Sequence, residues 1–268
     1  MFKDLVAKSY IKILNREIYI LDFVPPVLVG PLKKIRSLVK GYQDKGEDGP
    51  SKSFISPNLS SYSQFNEDLL IDLILGLKDN GFYLDIGAND PVIGNNTKRF
   101  YDKGWSGINI EPGTNTIKKF YESRTRDINL NIGVGYMKGN FIFYQLEESS
   151  LSSFNIKNAK NMASKCGSTI TEISIDVLRL VDIVNQYIKD KQVDFMSVDT
   201  EGSDLAVLKS NNWDKFRPTL IMVEIDNQYT QIVEFMDQCN YLLVYNNLYN
   251  GIFVDKLSSE KCLESIMK

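Results

Sequence analysis

FYLDIGANDP, residues 82–91, is the stretch that decides the fold. Residues 82–86 read as a buried strand. Gly87-Ala88 then makes a small-residue turn that a ligand can approach closely. Asn95-Asn96-Thr97 supplies polar residues suited to a helix start with open backbone donors. An ordinary strand-to-helix turn capped by Asn would look much the same. A dinucleotide fingerprint would need glycines where Asn89 and Val92 stand, which weighs against a nicotinamide or flavin cofactor.

Outward from this turn, strands and helices alternate. Before it, 64–77 reads as a helix. After it come helix 95–103, strand 107–111, helix 115–124, strand 128–134 and strand 140–144. A polar Ser/Asn-rich stretch, 145–168, interrupts the pattern. Then follow an extended run 170–175, helix 178–189, strand 193–198, helix 203–209, strand 219–225 and helix 228–238. Two extended runs, 241–246 and 251–255, close the core as a hairpin. Near-continuous apolar strands between helices predict an α/β fold: a mostly parallel sheet covered on both faces, with antiparallel strands at one edge. In such sheets ligands bind beyond the carboxyl ends of the strands.

Acids gather at those strand ends. Glu111 follows the second strand and suits a pair of ribose hydroxyls. Asp199 and Glu201 follow strand 193–198, and Glu224 and Asp226 follow strand 219–225. Carboxylates at the end of a buried strand are costly unless paired or put to use. Ser203, Asp204 and Asn227 have simpler readings as helix caps. Trp105 and Trp213, beside strand-entry turns, read as packing residues.

The 268-residue chain contains no histidine. That excludes a Ser-His-Asp triad, a Cys-His pair, a His-ligated metal and any histidine base. Proton transfer then falls to carboxylates, Lys, Tyr or a hard metal. The net charge of −3 does not suit a generic nucleic-acid binder. Cys166, Cys239 and Cys262 form no CxxC pair and read as reduced thiols in a cytoplasmic setting. No apolar run is long enough to span a membrane, and the start lacks a signal-peptide pattern.

Residues 1–40 hold eight Lys/Arg against three acids, a net of +5. Residues 2–20 read as a basic amphipathic helix ended by Pro25-Pro26, and 31–40 as a second short helix. This arm has three readings: a solvated extension, a homodimer contact, or a peripheral contact with an anionic membrane. The first two account for it better, since Asp22 and the prolines break any long amphipathic face. Residues 41–61 read as a linker, which places 1–61 as extension and linker, 62–257 as the main domain and 258–268 as a tail.

These positions together resemble the FkbM-type S-adenosylmethionine-dependent methyltransferases. The matching pieces are SQFNED (63–68), YLDIGANDP (83–91), Asn96-Thr97, GW-x-GINIEP (104–112), RDINLN (126–131), SSLSS (149–153), VDFMSVDTEGSDLAVL (193–208) and RPTLIMVEID (217–226). The resemblance implies a class I methyltransferase fold, Rossmann-like with seven strands, and S-adenosylmethionine as methyl donor. It also implies oxygen methylation, often of a sugar or glycan, in surface polysaccharide or secondary-metabolite biosynthesis. Carried over by position, Asp85, Gly87, Ala88, Asn89 and Asn96 line the cofactor and Glu111 holds its ribose. Asn129 and Asn131 lie near the adenine, and Gln64 and Glu67 close the pocket. Asp199 and Glu201 sit beside the transferred methyl.

With no histidine, Asp199 is the expected base, with Glu201 and Glu224 as the other catalytic carboxylates. Alternatively, Asp199 and Glu224 hold a divalent metal such as Mg2+ that acidifies the acceptor hydroxyl. Ser152, Ser153 and Asp226 are expected at the acceptor. Two competing readings are a nucleotide-cofactor oxidoreductase on a similar sheet and a non-catalytic scaffold.

Overall fold

The computed structural model describes the backbone of 9–13 and 16–20, and residues 61–226 and 228–257. The expected helix 31–40, linker 41–61, cap Asn227 and tail 258–268 therefore lie almost wholly outside the described residues.

The expected amphipathic helix over 2–20 is not formed. Ser9–Ile13 (β1) and Arg16–Ile20 (β2) pair antiparallel, with Ile13 opposite Arg16. The reason is composition: SYIKI and REIYI are rich in Ile and Tyr, residues that fit a pleated ribbon better than a helix.

The main sheet uses β3 (Phe82–Ile86), β4 (Ser106–Ile110), β5 (Ile128–Leu130), β9 (Phe195–Val198), β10 (Leu220–Glu224), β11 (Tyr241–Asn246) and β12 (Asn250–Asp255). Its order is β11-β12-β10-β9-β3-β4-β5, so the seven-stranded, mostly parallel sheet expected from sequence is present. The closing hairpin adds two antiparallel strands at one edge, as expected. Its second strand, β12, inserts between β10 and β11 and pairs antiparallel with both.

The expected strand 128–134 divides. Ile128–Leu130 joins the main sheet, whereas Gly133–Val134 (β6) pairs with Thr171–Leu178 (β8) in a second sheet. Gly139–Gln145 (β7) completes that three-stranded sheet. The polar stretch 145–168 is also more ordered than its composition suggests. It holds a 3-10 turn, Ser149–Leu151, and a helix, Ile156–Cys166, whose Asn155 side chain caps two backbone N–H groups.

The helices in chain order are α1 (Glu67–Ile74), α2 (Lys98–Asp102), α3 (Thr114–Ser123), α4 (Ile156–Cys166), α5 (Leu180–Ile183), α6 (Asp204–Lys209) and α7 (Tyr229–Gln238). Helix α1 is shorter than expected because Asn66 and Gly76-Leu77 take left-handed conformations at its two ends. Helix α2 starts late because Asn95 and Thr97 spend their side chains on the preceding turn. Residues 178–189 divide among the end of β8, α5 and a π-helical turn, Val184–Ile188.

Register explains how the two faces of the sheet differ. Phe82, Leu84 and Ile86 of β3, Met196 and Val198 of β9, and Ile221 and Val223 of β10 pack into one large core with α5, α6 and α7. The alternate residues point to a smaller core under α1 and α2 that includes Ile71, Phe100 and Trp105. Trp105 and Trp213 both serve packing, as expected. On this second face a polar row crosses four strands: Asn129 opposite Asn109, Asn109 opposite Asp85, Asp85 opposite Ser197.

Arg124, fully buried after α3, holds that row and the turn above it. Its guanidinium donates to the Pro91 carbonyl (2.8 Å), Asn95 Oδ1 (2.6 Å) and the Tyr83 hydroxyl (3.1 Å). Tyr83 donates in turn to Asp127, which also accepts from Gly107 N–H and Asn109 Nδ2. A Cβ at Gly107 would lie 2.1 Å from the Tyr83 ring, so only glycine lets that ring cross β4.

Replacing Arg124 with Leu leaves the buried Pro91 carbonyl without a donor and strips one donor each from Asn95 and Tyr83. The expected cost is roughly 3–5 kcal/mol of unfolding free energy, the range for breaking a buried charged network. Urea denaturation measures it, and a loss under about 1 kcal/mol, the scale of an ordinary hydrogen bond, would show that the network does not hold the turn.

Candidate active site

Strand register brings the candidate residues to one rim. Ile86 pairs with Ile110 on one side and Val198 on the other, and Val198 pairs with Val223. Gly87, Glu111, Asp199 and Glu224 are therefore neighbouring strand-end residues. Gly87 has φ +79, and a Cβ there would lie 1.7 Å from the Asp199 carbonyl oxygen. The ends of β3 and β9 thus touch backbone to backbone, a contact open only to glycine.

The turn after β3 is fully tied. Gly87 and Ala88 N–H donate to the Ile110 carbonyl (2.9 and 3.1 Å). Asn89 is left-handed, and its N–H donates to Glu111 Oε2 (2.9 Å). The other Glu111 oxygen accepts from Gly113 N–H (2.7 Å). Asp85 accepts from the Thr97 hydroxyl (2.7 Å), and Asn96 Nδ2 donates to Ser197 Oγ (3.2 Å).

The acids on this rim fall into two groups. Asp85, Glu111 and Asp204 are buried but hydrogen-bonded; Asp204 accepts from Thr200 N–H and hydroxyl and from Gly202 N–H. Among the described residues no hydrogen bond or ion pair reaches the carboxylates of Asp199, Glu201, Glu224 or Asp226. Burial, reinforced by the neighbouring acids, pushes Asp199 well above the usual carboxylate range. Burial first, and then Asp199, push Glu224 up to about 9. Burial, then Asp204, raises Glu201 to about 7. Burial raises Asp85 to about 6 and Glu111 to about 7 against their hydrogen bonds.

Beside these acids lies a cleft of about 270 Å3. Glu201, Glu224 and Asp226 line one wall; Leu151, Ser153, Asn158, Asn161 and Met162 of the segment 145–168 line the other. Ser153 thus lies where an acceptor residue was expected. Ser152 instead accepts from Leu146 N–H and closes a turn.

Other expected site residues have structural employment. Asn129 donates to the Phe120 and Arg124 carbonyls and accepts from Asn109. Asn131 donates to the Glu111 and Pro112 carbonyls. Glu67 accepts from the amides of Asn247 and Asn250, and Gln64 is exposed. Among the described residues no group of three or more Asp, Glu or Cys is arranged to hold a metal ion, so the expected Asp199/Glu224 metal site is not supported.

Sequence reasoning missed Arg124, Asn158 and Asn161; it reached Asn95 only as a helix-start residue and Ser149 only as part of SSLSS. Asn158 and Asn161 carried a signal, a pair three residues apart on one helix face. Arg124 carried none.

The family profile described as "Methyltransferase FkbM domain" matches residues 85–243, more than half of the chain, and the chain belongs to that family. The matched domain is that of a methyltransferase family, and here it is carried on a seven-stranded, mostly parallel sheet. Comparison with curated proteins gave no match.

Among solved structures, the chain is similar to a T. thermophilus 16S rRNA N2 G1207 methyltransferase, in complex with AdoMet and guanosine. Identity is 10%, over 96% of this chain and 52% of that one, with a TM-score of 0.36. The chain thus spans about half of that protein's length. A Burkholderia thailandensis 1,6-didemethyltoxoflavin-N1-methyltransferase with bound S-adenosylhomocysteine is 11% identical over 92% and 96% of the chains (TM-score 0.36). A precorrin-6y C5,15-methyltransferase from Geobacter metallireducens is 11% identical over 78% and 94% (TM-score 0.35). These likenesses are remote and carry no residue assignment across.

The raised carboxyls set a pH dependence. A carboxyl raised in the folded state binds more protons folded than unfolded, so its contribution lowers stability as pH rises through that window. Here the window runs from the ordinary value of 4.5 to about 9 at Glu224. With no histidine to titrate inside it, the unliganded protein is expected to melt at progressively lower temperature from about pH 6 to about pH 8.5, and Glu224→Gln to flatten the slope. Scanning calorimetry reads both; a pH-independent melting temperature would refute the unpaired acid cluster.

Proposed function

We propose that this methyltransferase methylates a hydroxyl of a sugar or glycan-type acceptor, as in surface polysaccharide or secondary-metabolite biosynthesis. The observation that carries this reading is the contrast among the rim acids. Among the described residues no donor reaches Asp199 or Glu224, while Asp85, Glu111 and Asp204 are satisfied. Groups left unpaired at such cost fit a site that a ligand completes.

The residues present fit S-adenosylmethionine. Gly87, Ala88 and Asn89 form a small-residue turn for the methionine part, Glu111 stands at the next strand end for the ribose, and the unpaired acids suit a cation. The cofactor supplies a methyl group already activated on a sulfonium. The chain supplies position and a proton acceptor. The Asp199 carboxylate takes the proton that the acceptor hydroxyl loses. Glu224 and Asp226 accept hydrogen bonds from other hydroxyls, and Asn158, Asn161 and Ser153 face them across the cleft. A wall of acids and amides with Leu151 and Met162 beside it suits a polyol with one apolar face.

Replacing Asp199 with Asn keeps shape and removes the base. The expected result is a turnover loss of about 10²–10⁴-fold, with S-adenosylhomocysteine affinity within about threefold of the parent. Transfer of labelled methyl to a panel of sugars measures turnover, and calorimetry measures affinity. Near-normal turnover would remove Asp199 from the reaction. Thermal stabilisation by NAD but not by S-adenosylmethionine would overturn the cofactor reading.

A further inference from the structure

The turn after β3 and the wall of the cleft meet at one hydrogen bond. The Ser149 hydroxyl donates to Asn89 Oδ1 at 2.6 Å. Among the described residues this is the single hydrogen bond joining 87–97 to 145–168. On the turn side, Asn89 is left-handed and its N–H is held by Glu111. A non-glycine residue in that conformation is easily lost unless its surroundings fix it.

On the cleft side, Ser149 begins a segment tied together by its own hydrogen bonds. Ser152 Oγ accepts from Leu146 N–H (3.0 Å), Ser153 and Tyr144 exchange backbone hydrogen bonds (3.0 and 3.2 Å), and Asn155 caps α4. Leu151, Ser153, Asn158, Asn161 and Met162 then face the acids. Ser149 is the point at which that wall meets the turn after β3.

We propose that the Ser149–Asn89 hydrogen bond couples the cofactor turn to the acceptor cleft, with Ser149 as a positioning residue acting through Asn89. This rests on the cofactor reading given above. With one lone pair of its Oδ1 taken by Ser149, the Asn89 side chain offers a ligand its Nδ2 donors and one further acceptor site. A ligand held by Asn89 stiffens the residue that anchors Ser149, so cofactor occupancy orders the wall before the acceptor arrives. Coupling of this kind needs no large movement, only that one ligand removes freedom the other would have to remove.

Hydrogen–deuterium exchange of the full chain, with and without saturating S-adenosylhomocysteine, tests it in the parent, Ser149→Ala and Ser149→Thr. In the parent, the ligand is expected to slow exchange at 85–91 and also at 149–163, the latter by roughly fivefold or more, the lower end of ordinary coupling between sites. Ser149→Ala should keep the effect at 85–91 and lose it at 149–163. Ser149→Thr, which retains the hydroxyl, should restore it. Protection at 149–163 that survives in Ser149→Ala, or a parent protected at 85–91 alone, would overturn the coupling. No effect at either segment, with no heat of binding, would remove the cofactor reading and this inference with it.

Discussion

The buried guanidinium of Arg124 is the interaction on which the site depends. A charge this deep is tolerable only if its hydrogen bonds are made, and here they go to the backbone of Pro91, the side chain of Asn95 and the hydroxyl of Tyr83. Asn95 reaches on to the Ala88 carbonyl, so the small-residue turn is held from below at two places. The same network supports the polar row Asn129–Asn109–Asp85–Ser197. Four polar residues in the middle of a sheet would otherwise be a heavy desolvation cost. A site that must grip a ligand with backbone and acids is thereby given a stiff polar floor rather than a soft apolar one.

Above that floor the acids divide by satisfaction, and the division has a thermodynamic meaning. Asp85, Glu111 and Asp204 shape the protein: each fastens a loop or a helix start. Among the described residues Asp199, Glu201 and Glu224 hold no hydrogen-bond partner, and they push one another's carboxyls upward. Their raised carboxyls lower the stability of the unliganded protein as pH rises. Function is stored here as instability, in the usual conflict between a stable fold and a working site.

Much of this was legible in the chain because the buried strands are short apolar runs followed at once by Gly or acid. FYLDIGANDP, GINIEP and VDFMSVDTEG each fixed both a strand and a rim position. Less was legible where packing overrode composition. SYIKI and REIYI carry helical spacing and ribbon chemistry together, and the ribbon won. The polar segment 145–168 lacks the apolar periodicity of a core helix, and α4 is set instead by Asn155 and by one buried residue, Ala159. The family resemblance implies that Asn129 and Asn131 lie near the adenine; register places Asn129 in the floor of the sheet and Asn131 on the Glu111 strand end. Arg124 looked like any surface arginine at the end of a helix, since nothing local marks a residue whose partners lie 29 to 41 positions away.

The insertion of β12 between β10 and β11 bears on how the chain is made. Synthesis proceeds from the N-terminus, so β10 exists with an open, apolar edge until the last described strand emerges. Bare edges of this kind invite pairing with other chains. The same late strand carries Asn250, and the turn before it Asn247, the two amides that hold Glu67 at the start of α1. The first helix of the domain is thus fastened by its final hairpin. Loss of a few residues near 250–255 would open the β10 edge and remove one of the amides that hold Glu67 in the same stroke.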